Sequence, residues 1–141
     1  MYRRIMVPVD LEHAEKLGKA IATAADLAKI YGSEISFVGV AGSAPSRVAH
    51  TYQEYCQKLN AFAAVEASRL GVAIAADPIE DHDVAVDLDA RLLREAGRIG
   101  ADLIVMASHM PGRLSFLGGS NAGYVAQHAA ISVMIVRGGA A

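Results

Sequence analysis

The sequence predicts an α/β fold: a five-stranded parallel sheet flanked by helices on both faces. Three observations point to it. Short apolar runs alternate with longer stretches of helical period, in the order β-α-β-α-β-α-β-α-β. The clearest runs are apolar almost throughout, as strands buried on both faces are. Glycines follow the first three helical stretches, at Gly32, Gly71 and Gly100, where a residue tolerant of positive φ closes a helix.

Ile5 to Val9 is the first strand, ended by Asp10. From His13 to Tyr31 the apolar residues Leu17, Ala20, Ile21, Ala24 and Ala28 form a helical stripe. Glu34 to Val40 is the second strand, followed by turn residues without a clear period from Ala44 to His50. Thr51 to Leu70 is the second helix, with Tyr52, Tyr55, Cys56, Leu59 and Phe62 on one face; the tyrosines read as core or oligomer contacts and Cys56 as a buried, inert thiol. Val72 to Ile79 is a weaker strand, alanine-rich and carrying Pro78, which places it at a sheet edge. Leu88, Leu92, Ala96 and Ile99 mark the third helix. Asp102 to Met106 is the fourth strand, Asn121 to Ala129 the fourth helix and Ser132 to Val136 the last strand.

At 141 residues, with no linker or internal repeat, residues 1–141 form one domain. Hydrophobic residues at 53% against 20% charged exclude a disordered chain. The net charge of -2 argues against nucleic-acid binding. A single cysteine rules out an internal disulfide framework. No export signal is visible at Met1 to Val9, and no apolar stretch reaches the roughly 20 residues of a membrane span. A cytoplasmic protein without membrane insertion is the expectation.

In parallel sheets of this kind, ligands bind outside the carboxyl ends of the strands. That draws attention to Pro8, Val9 and Asp10, to Val40, and to the segment from Ala107 to Asn121. The last contains a Gly119-Ser120-Asn121 step into a helix start, where free N–H groups and the helix dipole favour phosphate. Ser and Asn also cap helices as a matter of course, and Asp10 is equally suited to capping a turn. His109 lacks the nucleophile and orienting partner that a general base needs, so no catalytic residue is assigned. Asp81-His82-Asp83 reads as a solvated connection, since adjacent loop residues rarely converge on one ion. No G-x-x-x-x-G-K-[ST] occurs, and no G-x-G-x-x-G follows the first strand, so P-loop and dinucleotide readings fall away.

Nearly the whole chain resembles the universal stress protein family. The resemblance is carried by Ile5-Met6-Val7-Pro8-Val9-Asp10, by Gly100-Ala101-Asp102-Leu103-Ile104-Val105-Met106, by Ser108-His109, by Gly119-Ser120-Asn121 and by the run from His128 to Arg137. It implies a Rossmann-like sheet, related to adenine nucleotide alpha hydrolase-like domains. It also implies binding of ATP, ADP or AMP, with Mg²⁺ accompanying the phosphates. Carried over residue by residue, Pro8, Val9 and Asp10 would meet adenine and ribose, and Val40 would line the base pocket. Ala107 and His109 would sit beside ribose and phosphates, and Gly119, Ser120 and Asn121 would hold phosphate oxygens.

ATP-binding members carry Gly, two residues, Gly, nine residues, then Gly-Ser or Gly-Thr. Here Ala107 and Met110 replace the two glycines, and eight residues separate Met110 from Gly119. The variant resembles a branch of which some members bind adenine nucleotide. Pro45-Ser46 through Tyr55 resembles members associated with TRAP-type transporters, which implies a transporter as partner. The family further implies a homo-oligomer, dimer or tetramer, paired through the last strand. The expected function is that of a nucleotide-binding sensor or regulator of the stress response. The alternatives are a nucleotide-free dimeric interaction module with a degenerate loop and, third, a slow ATPase.

Overall fold

The computed structural model describes residues 1–42, 45–81, 84–108 and 121–138, without the side chains of 84–87 and 121. Strand β1 (Arg4–Pro8) holds the centre of a sheet whose strands run in parallel in the order β3-β2-β1-β4-β5. The others are β2 (Glu34–Ala41), β3 (Ile74–Glu80), β4 (Leu103–Ala107) and β5 (Ser132–Val136). Among the described residues, four α-helices alternate with them: α1 (Gly18–Tyr31), α2 (Tyr52–Leu70), α3 (Val84–Ile99) and α4 (Asn121–His128). The expected α/β architecture and element order stand.

Burial explains why the central strands are apolar without alternation. Ile5, Met6 and Val7 of β1 and all five residues of β4 are buried, because helices cover both faces. Phe37 and Gly39 of β2 look towards α2, through the Phe62 ring and the Tyr55 side chain respectively. Asp77 of β3 looks the other way, to Arg98 of α3. Met106, at the end of the predicted fourth strand, is part of this core.

Register is pinned at the lower end of the sheet. Asp102 accepts the backbone N–H groups of Arg3 and Arg4 at 2.9 to 3.1 Å, tying the start of β1 to β4. Arg4 pairs with its β2 neighbour Glu34 at 2.7 Å. Pro78 lies opposite Gly39 in edge strand β3, and the edge position tolerates its missing N–H.

Three helix closures follow the sequence reading: Gly32, Gly71 and Gly100 adopt φ of 67°, 71° and 71°. One boundary differs. The stretch after β1 is a 3-10 helix, Leu11–Leu17, and the α-helix starts only at Gly18, not at His13. Asp10 causes this by accepting the Glu12 N–H at 3.0 Å, while the His13 N–H bonds the Asp10 carbonyl at 3.1 Å. These short-range bonds tighten the first turn, and His13 is left with non-helical angles of -131° and 37°. Cys56 is half-buried, not buried as its helical face suggested.

Candidate functional site

The chain order reverses across β1, with β2 on one side and β4 on the other, the place where open α/β sheets receive ligands. A cleft of about 80 Å³ opens at the carboxyl ends of β1 and β2. Its floor is Pro8, Val9 and Asp10 from β1 and its exit, with Val38 and Val40 from β2. Val9 extends the ladder past β1, donating its N–H to the Val38 carbonyl at 2.8 Å. The two strand ends are therefore held rigidly together.

The wall comes from the chain between β2 and α2. Ser46 folds this segment back, its hydroxyl accepting the Val48 and Ala49 N–H groups at 3.2 and 3.3 Å. Lys58 donates from α2 to the Val48 carbonyl. Thr51 then caps α2 by accepting the Glu54 N–H at 3.0 Å, and Glu54 reaches back to the His50 N–H at 3.3 Å. This start places Tyr52 and Tyr55 in the first turn, with stacked rings 6.5 Å apart at 16°. Both line the cleft, as do Leu88 and Leu92 of α3.

The two tyrosines do different things. Tyr52 donates its hydroxyl to the Pro78 carbonyl at 3.0 Å, bracing α2 on β3. Tyr55 is buried to 7% exposure, and its hydroxyl lies against Gly39, where a side chain would collide with it. Burial and the nearby Asp10 carboxylate push the Tyr55 phenol well above its ordinary range, so it stays a neutral O–H.

Asp10 is the polar centre of the floor. One oxygen accepts the Glu12 N–H and the other meets the His13 ring nitrogen Nδ1 at 3.1 Å. Asp10, Glu12 and His13 bring donor atoms within 4.8 Å of one another. Their hydrogen bonds identify the group first as a capping network, the plain alternative set out for Asp10. Each carboxylate oxygen has two lone pairs and uses one here, which leaves acceptor capacity facing the cleft.

A second charged group lies behind α3. Arg98 donates to Asp77 at 2.9 Å and, through Nε, to Glu95 at 2.7 Å. Burial, with the Glu95 carboxylate beside it, pushes Asp77 up to about 7, whereas the Arg98 hydrogen bond holds Glu95 below its usual range. The cluster fastens α3 to edge strand β3.

Pro8, Val9, Asp10 and Val40, expected at the site, converge on this cleft. Ala107 ends β4 opposite Val136 of β5 and does not line it. His109, Gly119 and Ser120 lie outside the described residues, as do Met110 and His82-Asp83. Asn121 is the first residue of α4. Tyr52, Tyr55, Leu88 and Leu92 were not anticipated as site residues. A signal for the tyrosines existed: polar-tipped aromatics just after an N-cap, at the loop end of a parallel sheet. Among the described residues, the cleft combines apolar walls with the carboxylates of Asp10 and Glu12 and the buried Tyr55 phenol, a set suited to holding a flat, polar-edged molecule.

The Universal stress protein family model matches residues 1–137. A crystal structure of a protein of that family from Burkholderia pseudomallei is 26% identical, covers 96% of each chain and superposes with a TM-score of 0.68. A universal stress protein from Archaeoglobus fulgidus, solved in complex with dAMP, is 18% identical over 95% of this chain and 97% of its own, with a TM-score of 0.67. A family protein from Arabidopsis thaliana with AMP bound is 16% identical over 98% of this chain and 93% of its own, with a TM-score of 0.69.

Proposed function

Because the chain belongs to the universal stress protein family over residues 1–137, we propose that it binds an adenine nucleotide, ATP or its lower phosphates, and acts as a sensor or regulator. The observation that carries this reading is the cleft at the ends of β1 and β2, apolar on its walls and closed by the Asp10 carboxylate. A purine needs flat apolar contact on its faces and a hydrogen-bond acceptor for its amino group, and this cleft supplies both. The dAMP and AMP complexes of the archaeal and plant family members support the ligand class. Gly119, Ser120 and Asn121, the last of which begins α4, are the proposed phosphate contacts, since a helix N-terminus favours an anion. Mg²⁺ would accompany the phosphates of ATP. Calorimetry of the purified protein with ATP, ADP and AMP tests the proposal, and no binding at millimolar nucleotide removes it. Adenine nucleotide released on denaturation and seen by mass spectrometry would support it directly.

A separate observation favours self-association. β5 is an edge strand whose Met134 and Ile135 are 38% and 37% exposed, and pairing with a second copy would cover this apolar edge. We infer a homo-oligomer formed through Ser132 to Val136, which also keeps the interaction-module reading in view should nucleotide binding fail. No helix among the described residues is long and apolar enough to cross a membrane.

A further inference from the structure

We propose that the Tyr55 hydroxyl reads the base, donating a hydrogen bond to a purine ring nitrogen that flanks the amino group held by Asp10. This rests on the adenine-nucleotide reading and names a specificity-determining residue within it. The first observation is an unmatched polar group. Tyr55 is 7% exposed and lines the cleft, yet its hydroxyl has no hydrogen-bond partner among the described residues. A hydroxyl on a largely buried ring that faces a cleft without a protein partner is free for water or a ligand. Its neighbour makes the contrast: Tyr52, stacked on the same ring face, donates to the Pro78 carbonyl and is fully employed in holding α2 to β3.

The second observation is location. Glycine at position 39 lets the Tyr55 hydroxyl lie against β2, because any larger residue there would displace it. The phenol therefore lies against β2 near its carboxyl end and lines the same cleft as Asp10. The third is chemistry. Burial and the Asp10 carboxylate both keep the phenol protonated, so at neutral pH it is a donor. Asp10 accepts and Tyr55 donates. Adenine presents the matching pair on one edge, an amino donor beside a ring-nitrogen acceptor, either N1 or N7. A 6-oxo purine puts a carbonyl oxygen against the Asp10 carboxylate, so the same two groups disfavour it.

The test pairs a protein deletion with ligand deletions. Wild type and Tyr55→Phe are titrated calorimetrically with AMP, 1-deaza-AMP, 7-deaza-AMP and inosine monophosphate. The wild type is expected to bind AMP about three- to tenfold more tightly than one of the two deaza analogues. Tyr55→Phe is expected to lose that preference while still favouring AMP over inosine monophosphate through Asp10. Equal binding of AMP and both deaza analogues by the wild type overturns the inference, and this arm does not depend on the variant folding. A preference that persists unchanged in Tyr55→Phe also overturns it. No AMP binding by the wild type sinks the nucleotide reading itself, whereas AMP binding without coupling to Tyr55 sinks the inference alone.

Discussion

Gly39→Ala probes the contact that shapes the cleft wall. A Cβ at position 39 would run into the Tyr55 hydroxyl and lie 3.2 Å from both Tyr55 Cζ and Leu59 Cδ2. Tyr55 and Leu59 are both buried, so neither side chain has open space on its far side. Overpacking of this kind costs about 1–3 kcal/mol. Stiffening the unfolded chain by exchanging glycine for alanine returns about 0.4–1 kcal/mol. The expected net loss is about 1–2 kcal/mol, read as a lower urea midpoint at unchanged slope. In a Tyr55→Phe background the hydroxyl is gone and only the two 3.2 Å contacts remain, so the same substitution should cost at least about 0.5 kcal/mol less. AMP affinity should also fall in Gly39→Ala, because the displaced ring enters the cleft. A Gly39→Ala protein as stable as wild type, or strict additivity with Tyr55→Phe, would refute the reasoning.

Four further variants probe the base site, the α2 cap, the Asp77 cluster and the β5 edge. Asp10→Asn keeps a good cap for the 3-10 turn, so stability should hold within about 0.5 kcal/mol, while AMP affinity falls about tenfold as a charge-assisted acceptor becomes a neutral one; an unchanged dissociation constant removes Asp10 from the base site. Thr51→Ala should cost about 1 kcal/mol in chemical denaturation, since it strips the cap that places Tyr52 and Tyr55. Asp77 has a folded-state value raised to about 7 against roughly 3.9 in the unfolded chain. Its contribution is therefore most favourable below pH ~4 and is lost as pH rises to about 7. Asp77→Asn should raise stability at pH 8 by about 1–2 kcal/mol more than at pH 4, and melting curves with parallel pH profiles would contradict this. Met134→Lys with Ile135→Lys should turn the oligomer into monomer by light scattering without changing AMP binding; an unchanged mass would place the interface elsewhere.

Much of the fold was legible because its causes are local. A glycine after a helical stripe specifies a left-handed closure, and Gly32, Gly71 and Gly100 provide it. Pro78 removes a ladder donor, and β3 is an edge strand. The apolar run of β1 ends at Asp10, and that boundary marks the cleft. The start of α1 was misplaced for an equally local reason. A hydrophobic stripe cannot distinguish an α turn from a 3-10 turn, and the choice depended on how Asp10 distributes its hydrogen bonds.

The sequence by itself therefore determined the element order and the parallel sheet, and it singled out the strand ends that border the cleft, since period, caps and strand composition act between near neighbours. Only the tertiary structure decided what those ends contain. Tyr55 and Gly39 are far apart along the chain, as are Asp77 and Arg98, and nothing in helical period marks such pairs. Two tyrosines three residues apart on one helix read alike as core, yet one braces an edge strand and the other turns an unpartnered hydroxyl to the cleft. Packing across the sheet made that distinction, because a side chain's role depends on which distant backbone it meets.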